Sequence, residues 1–230
     1  MPVQLEPGQR RRPKQLRSRM MVEVTIEAAR QVFAEHGFEA ATTNQIAARA
    51  GISIGSLYQY FPNKDALILE VQKAHHGEVL SVIRAAMDRS RNQPLKTAIR
   101  TIIGANLNLH LRTPQLHAAF EEWIPTQSRH VDRDSFQNEM AKTIGDFLAS
   151  RPEIPNNSNL DSLIFVIMNM VRSIMHAAVQ DNKAHHDRDR ILTHLSDSIL
   201  GCLPVVDHVA EQMDAGSSHL PGADSSSSRL

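Results

Sequence analysis

The stretch TTNQIAARAGISIGSLYQYFPNK, residues 42–64, decides the fold of this chain. It carries the signals of two short helices joined by a tight turn. Thr42 or Thr43 can cap the first helix, and Gln45 stands at capping-box spacing from Thr42. Gly51 falls at the turn, where the left-handed backbone conformation costs glycine little.

The second helix of this stretch is predicted to begin at its cap, Ser53, and to stop at Pro62. Leu57 and Phe61 are four residues apart and therefore face the same, inward side. The exposed side is then formed by Ile54, Gly55, Ser56, Tyr58, Gln59 and Tyr60. Helix, turn and helix in this order indicate a helix-turn-helix unit, whose second helix enters the major groove of DNA.

Together with the preceding helix, AARQVFAEHGFEAATT at residues 28–43, this stretch resembles the DNA-binding domain of the TetR family of bacterial transcriptional regulators. The resemblance covers about residues 20–70; the alternative is a buried helix pair with this spacing by chance. The matching residues are Phe33, His36, Gly37, Phe38, Thr43, Ile46, Ala47, Ala50, Gly51, Ser53, Gly55, Leu57, Tyr58, Tyr60, Phe61, Lys64 and Leu67. The resemblance implies an all-α fold of about nine helices, with an N-terminal three-helix DNA-binding domain and a C-terminal ligand-binding and dimerisation domain.

The family pattern also implies which residues touch DNA. Thr43, Tyr60 and Lys64 correspond to phosphate contacts, which suits hydroxyls and a cation. Ile54 has no hydrogen-bonding group and would meet thymine methyl groups, whereas Ser56 and Gln59 could bond base edges. The predicted DNA-binding residues are Thr43, Asn44, Ser53, Ile54, Gly55, Ser56, Tyr58, Gln59, Tyr60 and Lys64.

Charge and composition agree with a DNA-facing N-terminal part. The chain has 230 residues and no net formal charge, yet residues 1–64 hold nine Lys or Arg against five Glu. The predicted domains are a disordered basic arm (1–17), the DNA-binding domain (18–64), a helical body (65–204) and a disordered tail (205–230). One cysteine, Cys202, excludes an internal disulfide and is typical of a cytoplasmic protein. The polar N-terminus predicts no signal peptide.

The body is predicted to contain six helices and no strand. Proline, glycine and polar runs place them at about 65–91, 94–112, 115–124, 129–150, 160–181 and 187–203. The most apolar run, residues 163–179, contains Asn169, Arg172 and His176, so we expect a buried helix and not a membrane span.

The last two helices are expected to pair with their copies in a homodimer, as the resemblance implies. The alternative is a single intramolecular core. The predicted dimer-interface residues are Ile164, Ile167, Val171, Ile174, Ile191, Leu195 and Ile199.

A ligand pocket inside the body is likewise implied by the resemblance. Its candidate lining residues are Met87, Leu107, His110, His117, Phe120, Trp123, Phe136, Met140, Met168 and Met175, although each also fits ordinary core packing. No metal site and no cofactor are predicted, because the pairs His75-His76 and His185-His186 are neighbours on a helix and point in different directions.

The sequence therefore predicts a homodimeric repressor that a small apolar ligand releases from a palindromic double-stranded DNA operator. The alternatives are a transcriptional activator and a ligand-independent DNA-binding protein of the same fold. An enzyme is not expected, because the sequence has no nucleophile–base constellation, phosphate-binding glycine loop or metal-ligand spacing.

Overall fold

Nine α-helices and no strand occupy the residues described by the computed structural model, which are 12–123, 129–155, 159–180 and 187–205. The helices are α1 (Arg12–Ala40), α2 (Thr43–Ala50), α3 (Ile54–Tyr60), α4 (Lys64–Arg89), α5 (Leu95–Arg112), α6 (Pro114–Glu122), α7 (Arg129–Ala149), α8 (Asp161–Gln180) and α9 (Arg188–Cys202). The predicted all-α fold is confirmed. From α4 onward, the helix ends fall within two residues of the predicted positions.

The helix-turn-helix unit forms through the local signals read from the sequence. The Thr42 hydroxyl accepts a hydrogen bond from the Gln45 amide (3.2 Å), and Gln45 Oε1 accepts one from the Thr42 amide (2.8 Å). Gly51 ends α2 in the left-handed region, at φ 67° and ψ 31°. Ser53 Oγ caps α3 by accepting from the Ser56 amide. The capping box, the turn glycine and the α3 cap are all confirmed.

α1 differs from its prediction at both ends. It begins at Arg12 and not at Ser18, so the predicted disorder is wrong for residues 12–17. Pro13 does not prevent this, because the first turn of a helix needs no amide donor. Gly37 breaks the helix as expected, with φ 74° and ψ 175°, but helical turns resume as far as Ala40. The remainder of the predicted arm, residues 1–11, and the predicted tail from residue 206 lie outside the described residues.

The core of the first three helices extends into the body. Phe33, Ile46 and Leu57 are fully buried in it, together with side chains of α4. Leu116 of α6 and Trp123, which directly follows that helix, belong to the same core. α6 therefore packs on α1, and the DNA-binding unit and the body share a continuous apolar contact.

The first turn of α4 fixes the DNA-binding unit to that body. Asn63 Oδ1 caps the helix by accepting from the Ala66 amide (2.8 Å). Lys64 Nζ donates to the carbonyl oxygens of Phe38 (2.7 Å) and Glu39 (3.1 Å) in α1. Asp65 Oδ1 accepts from Trp123 Nε1 at the end of α6 (2.7 Å).

Two glycines provide a matched test of the turn. Gly51 holds a positive φ in open space, so Gly51→Ala should lower the free energy of unfolding by about 1–2 kcal/mol, because an L side chain is disfavoured there. Gly77 lies in the exposed middle of α4, where an added Cβ would meet no atom within 4 Å, so Gly77→Ala should raise the free energy of unfolding by about 0.5–1 kcal/mol. Urea denaturation of both variants measures the difference, and equal effects would contradict the assigned turn.

Candidate DNA-binding surface and internal cavity

The outer face of α3 keeps large side chains in solvent. Tyr58 is 51% exposed, Ile54 37% and Tyr60 36%, whereas Leu57 on the opposite face is completely buried. Gln59 is also exposed. Large side chains that stay in solvent do not stabilise the fold. A surface that exposes several of them together is typical of a binding face.

Hydrogen bonds orient several of the predicted DNA-binding residues. Thr43 Oγ1 and Tyr58 Oη are 3.0 Å apart, so the start of α2 positions the Tyr58 hydroxyl. Ser53 Oγ and Ser56 Oγ are 2.8 Å apart. Ser56 is therefore already engaged and half-buried, which limits its value for reading bases.

Asn44 and Gln59 are the amide side chains that remain available on this surface. Both are exposed, and neither has a side-chain hydrogen bond to another part of the described chain. A carboxamide can bond an adenine edge through two atoms at once. Of the two, Gln59 lies on α3, the helix predicted to enter the major groove, and is therefore the strongest base-reading candidate of the predicted set.

Lys64 has a structural role that the sequence did not indicate. Its ammonium group bonds two carbonyl oxygens of α1 and lies 4.3 Å from the centre of the Phe38 ring. Two of its three donors are thereby used within the protein. Its contact with phosphate stays a prediction.

Cations border the end of α3. The Ser18 hydroxyl donates to Tyr60 Oη (3.4 Å), which brings the start of α1 beside the end of α3. The exposed residues Arg17 and Arg19 flank Ser18 in the sequence. This edge of the surface therefore offers positive charge next to a hydroxyl that is predicted to contact phosphate.

A cavity of about 1200 Å³ lies in the body between α4, α5, α6, α7 and α8, and it opens to solvent beside the exposed residues Phe165 and Arg172 of α8. Nine of the ten predicted pocket residues line it: Met87, His110, His117, Phe120, Trp123, Phe136, Met140, Met168 and Met175. Leu107 does not. It is 1% exposed in the core of the body, and its prediction as a lining residue is wrong. The volume suffices for a drug-sized ligand or larger.

Three histidines meet at this cavity. His75 (α4), His110 (α5) and His117 (α6) each present a ring nitrogen, and these nitrogens lie within 4.8 Å of one another. The His110 and His117 rings are stacked, with centroids 4.7 Å apart, and His75 meets both edge-on. Sequence reasoning missed His75, because it considered this residue only with its neighbour His76, which stacks on Phe136.

Burial keeps these imidazoles neutral. It lowers the pKa of His75 to about 3 and that of His117 to about 2, with smaller contributions from neighbouring histidines. Burial also lowers the pKa of His110, whose Nδ1 lies 2.9 Å from the Asn106 carbonyl oxygen. Among the described residues, His117 Nε2 and Asn106 Oδ1 are buried without a hydrogen-bond partner.

The predicted dimer-interface residues divide into two groups. Ile164, Ile167, Leu195 and Ile199 are at most 6% exposed in a single chain, because α8 and α9 pack against α5 and turn these side chains inward. The prediction is wrong for these four, which are core residues. The other three, Val171, Ile174 and Ile191, are partly buried against the same core.

A side of α8 that borders the opening of the cavity is exposed in the single chain. Phe165 is 69% exposed and Val166 49%, while Arg172, Ser173 and Ala177 are exposed further along. In the described part of the chain, residues 161–179 form one helix that is long and apolar enough to cross a membrane by length and composition alone, and 22% of it is buried. Its apolar outer surface is left uncovered by the single chain.

Two protein-family models together match most of the chain. The model of "Bacterial regulatory proteins, tetR family" matches residues 26–71, and that of "Tetracyclin repressor-like, C-terminal domain" matches residues 94–203. The HTH-type transcriptional activator FasR of Mycolicibacterium smegmatis is 38% identical over 74 residues, which are 31% of this chain and 34% of FasR. The fatty acid metabolism regulator protein of Bacillus subtilis is 29% identical over 84 residues, 36% of this chain and 42% of that protein.

Solved structures support the fold. A transcriptional regulator from Pseudomonas aeruginosa PAO1 superposes with a TM-score of 0.63 at 19% identity, over 93% of this chain and 94% of that one. The chain spans 34% of the length of FasR and 42% of that of the fatty acid metabolism regulator protein.

The neutral histidines predict how stability depends on pH. In the unfolded chain they bind protons below about pH 6.5, whereas folded His75 and His117 do so only near pH 3 and pH 2. The unfolded state thus binds more protons in this window, so stability is lost as pH falls from about 6.5, by about 1.4 kcal/mol per pH unit for each histidine. Urea denaturation at stepped pH in a chelator measures the slope.

The variant His117→Phe should make that slope shallower by about 1.4 kcal/mol per pH unit, since one proton site is removed. The groups that face His117 are His75, His110, His176 and Phe120, and they are retained in the variant. The same measurement on His194→Phe, a substitution at an exposed histidine, supplies the control. Identical slopes for wild type and His117→Phe would show that the imidazole of His117 is protonated as readily in the folded state as in the unfolded chain.

Proposed function

Because the chain belongs to the TetR family of bacterial regulatory proteins, and is therefore a DNA-binding transcriptional regulator, we propose that it is a homodimeric repressor released from its operator by a small apolar ligand. The operator is a palindromic DNA duplex, since two symmetry-related reading units need two half-sites. The protein acts in the cytoplasm and performs no enzymatic reaction.

One observation carries this proposal: α4 belongs to both halves of the molecule. Its first turn bonds α1 and α6 through Lys64 and Asp65. Three turns further on, His75, Val79 and Ile83 form part of the cavity wall. A ligand that shifts α4 in the cavity therefore acts on the helix that positions the reading unit.

The lining of the cavity indicates the class of ligand. Most of its side chains are aliphatic, aromatic or methionine, and Asn106 and the histidines supply buried polar groups among them. Such a site suits an apolar body with a small polar head. A fatty acid has this form, and one relative is named a fatty acid metabolism regulator protein.

The outer face of α8 supports the homodimer. An exposed Phe165 beside an exposed Val166 would be covered by the same face of a second copy, with α9 alongside. Burial of about 800 Å² on each partner is usual for a stable pair.

A transcriptional activator is the second candidate. The relative FasR bears that description, and 74 residues of this chain match it at 38% identity. The same reading unit serves either outcome, because repression and activation differ in where the operator lies relative to the promoter. Transcription from the protein's own promoter region, measured with and without the protein, separates the two.

The reading unit is tested by selecting oligonucleotides from a random pool and repeating the selection with variants. Gln59→Ala should change the preferred base at one position of each half-site, at a cost of about 1–3 kcal/mol for the original base. Tyr60→Phe removes a hydroxyl expected to contact phosphate and should weaken binding to all sequences equally. An unaltered preference profile for Gln59→Ala would remove Gln59 from the base-reading residues.

Ligand release is tested by gel shift on the selected duplex with decanoate or palmitate added. We expect the ligand to lower DNA affinity by about 5- to 150-fold, the usual range of coupling between two sites. Met168→Trp fills part of the cavity and should keep DNA binding while losing most of that response. Ala149→Trp places the same side chain at the exposed end of α7, away from the cavity lining and from the outer face of α8, and should respond as the wild type does. If neither compound changes the gel shift, a fatty acid is not the effector. If the two variants respond equally, the cavity is not the site at which the ligand acts.

A further inference from the structure

Three helices that are separate in the sequence bring histidine rings to one place in the cavity wall. His75, His110 and His117 have ring centroids 4.7–5.6 Å apart, and one nitrogen of each lies within 4.8 Å of the other two. This convergence is tertiary, and neither helical periodicity nor adjacency in the chain produces it. The curated names of the relatives do not assign it a role.

We infer that these three histidines bind a divalent transition-metal ion of the zinc, cobalt or nickel class inside the cavity. Imidazole nitrogen suits these ions, and three histidines with an open fourth position are a common ligand set for zinc. With metal–nitrogen bonds of about 2.0–2.1 Å, tetrahedral ligands stand about 3.3 Å apart. Binding therefore requires each nitrogen to move inward by about 1 Å and the stacked rings of His110 and His117 to turn until both ring planes contain the ion.

The hydrogen bond of His110 prepares its ring for a metal. Nδ1 lies 2.9 Å from the Asn106 carbonyl oxygen, which can only accept, so Nδ1 carries the hydrogen and donates it. Nε2 then holds the lone pair. Metal-binding histidines usually donate their second ring nitrogen to a carbonyl or carboxylate in this way.

His117 supplies an independent indication. Its Nε2 is buried and has no hydrogen-bond partner among the described residues. Buried polar atoms are nearly always paired, so an orphan needs an explanation. A bound ion provides the missing partner, and Asn106 Oδ1, also buried and unpaired in the same cavity, is an acceptor for a water on the fourth position.

Simple aromatic packing is the competing explanation. The His110 and His117 rings are stacked, and both His75 and His117 lie against Phe120. Packing of this kind depends on ring shape and not on ring nitrogen. Replacement by phenylalanine therefore distinguishes the two, because it keeps a buried ring and removes the ligand atom.

A bound ion would also link the cavity to the reading unit. It would join α4 and α5 to α6, and α6 packs on α1 and holds Asp65 through Trp123. Any effect of the ion on DNA affinity rests on the proposed regulatory function. Ion binding does not, so failure of one leaves the other standing.

The test uses untagged full-length protein freed of metal with a chelator. Titration with Co²⁺ should give the visible absorption bands of a tetrahedral nitrogen site and one ion per chain, and Zn²⁺ should displace the Co²⁺. The ion should raise the thermal midpoint of the wild type. His117→Phe and His110→Phe should each weaken Co²⁺ binding by more than about 100-fold, because loss of an outer-shell partner alone costs about 10–100-fold. His36→Phe and His194→Phe, at exposed histidines, control for adventitious surface binding.

Either of two results would overturn the inference: metal-free wild type that binds neither Co²⁺ nor Zn²⁺, or binding that persists in both folded Phe variants. Circular dichroism establishes that the variants are folded. X-ray absorption of the zinc-loaded wild type decides the matter even where a variant does not fold, because it counts imidazole ligands directly. Three imidazoles support the site, and fewer than three refute it.

Discussion

The first turn of α4 is the joint on which the molecule depends. Three consecutive residues act there: Asn63 caps the helix, Lys64 bonds the last carbonyls of α1, and Asp65 holds the indole of Trp123. The Lys64 and Asp65 bonds involve a charged group, which makes them stronger than bonds between neutral groups. They lie beside the apolar core that α6 shares with α1, so the orientation of the reading unit follows the positions of α4 and α6 together.

Residues of both helices, among them His75 and Val79 of α4 and His117 and Phe120 of α6, line the cavity. A core of this composition would otherwise close to the density of an organic crystal, so an open space of about 1200 Å³ sacrifices packing that the chain could have made. Two polar atoms at its wall, His117 Nε2 and Asn106 Oδ1, are buried and unpaired, which again costs stability. Where an otherwise well-packed protein loses stability at one place, that place is usually a binding site.

The sequence predicted what depends on neighbours in the chain and failed where distant segments meet. The capping box at Thr42, the turn at Gly51 and the cap at Ser53 are local, and all three are present. Nine cavity residues were foreseen through the family pattern, whereas Leu107 shows that a helix face cannot be assigned to a cavity or a core from periodicity alone. His75 was dismissed because its neighbour points elsewhere, although its partners come from α5 and α6.

The error at the dimer interface has the same origin. An apolar stripe on α8 can face its own body or a second copy, and Ile164 and Ile167 face the body. The outward residues, led by Phe165, occupy another face of the same helix. A helix apolar over most of its circumference must be covered on two sides, and its sequence does not say which side belongs to which partner.

Under the proposed function, the position of the cavity limits how a ligand can act. Binding alone releases nothing, since a ligand of equal affinity for both arrangements of α4 leaves their ratio unchanged. The ligand must fit the cavity better when α4 and α6 hold the reading unit away from its DNA-bound position. Linkage then requires DNA to weaken ligand binding by the same factor by which the ligand weakens DNA binding. A ligand that only fills the apolar part of the cavity has similar affinity for both arrangements, because α7 and α8 also set the shape of that part. A polar head placed between His75 on α4 and His117 on α6 senses the separation of the two helices directly, so the discrimination belongs at the histidines.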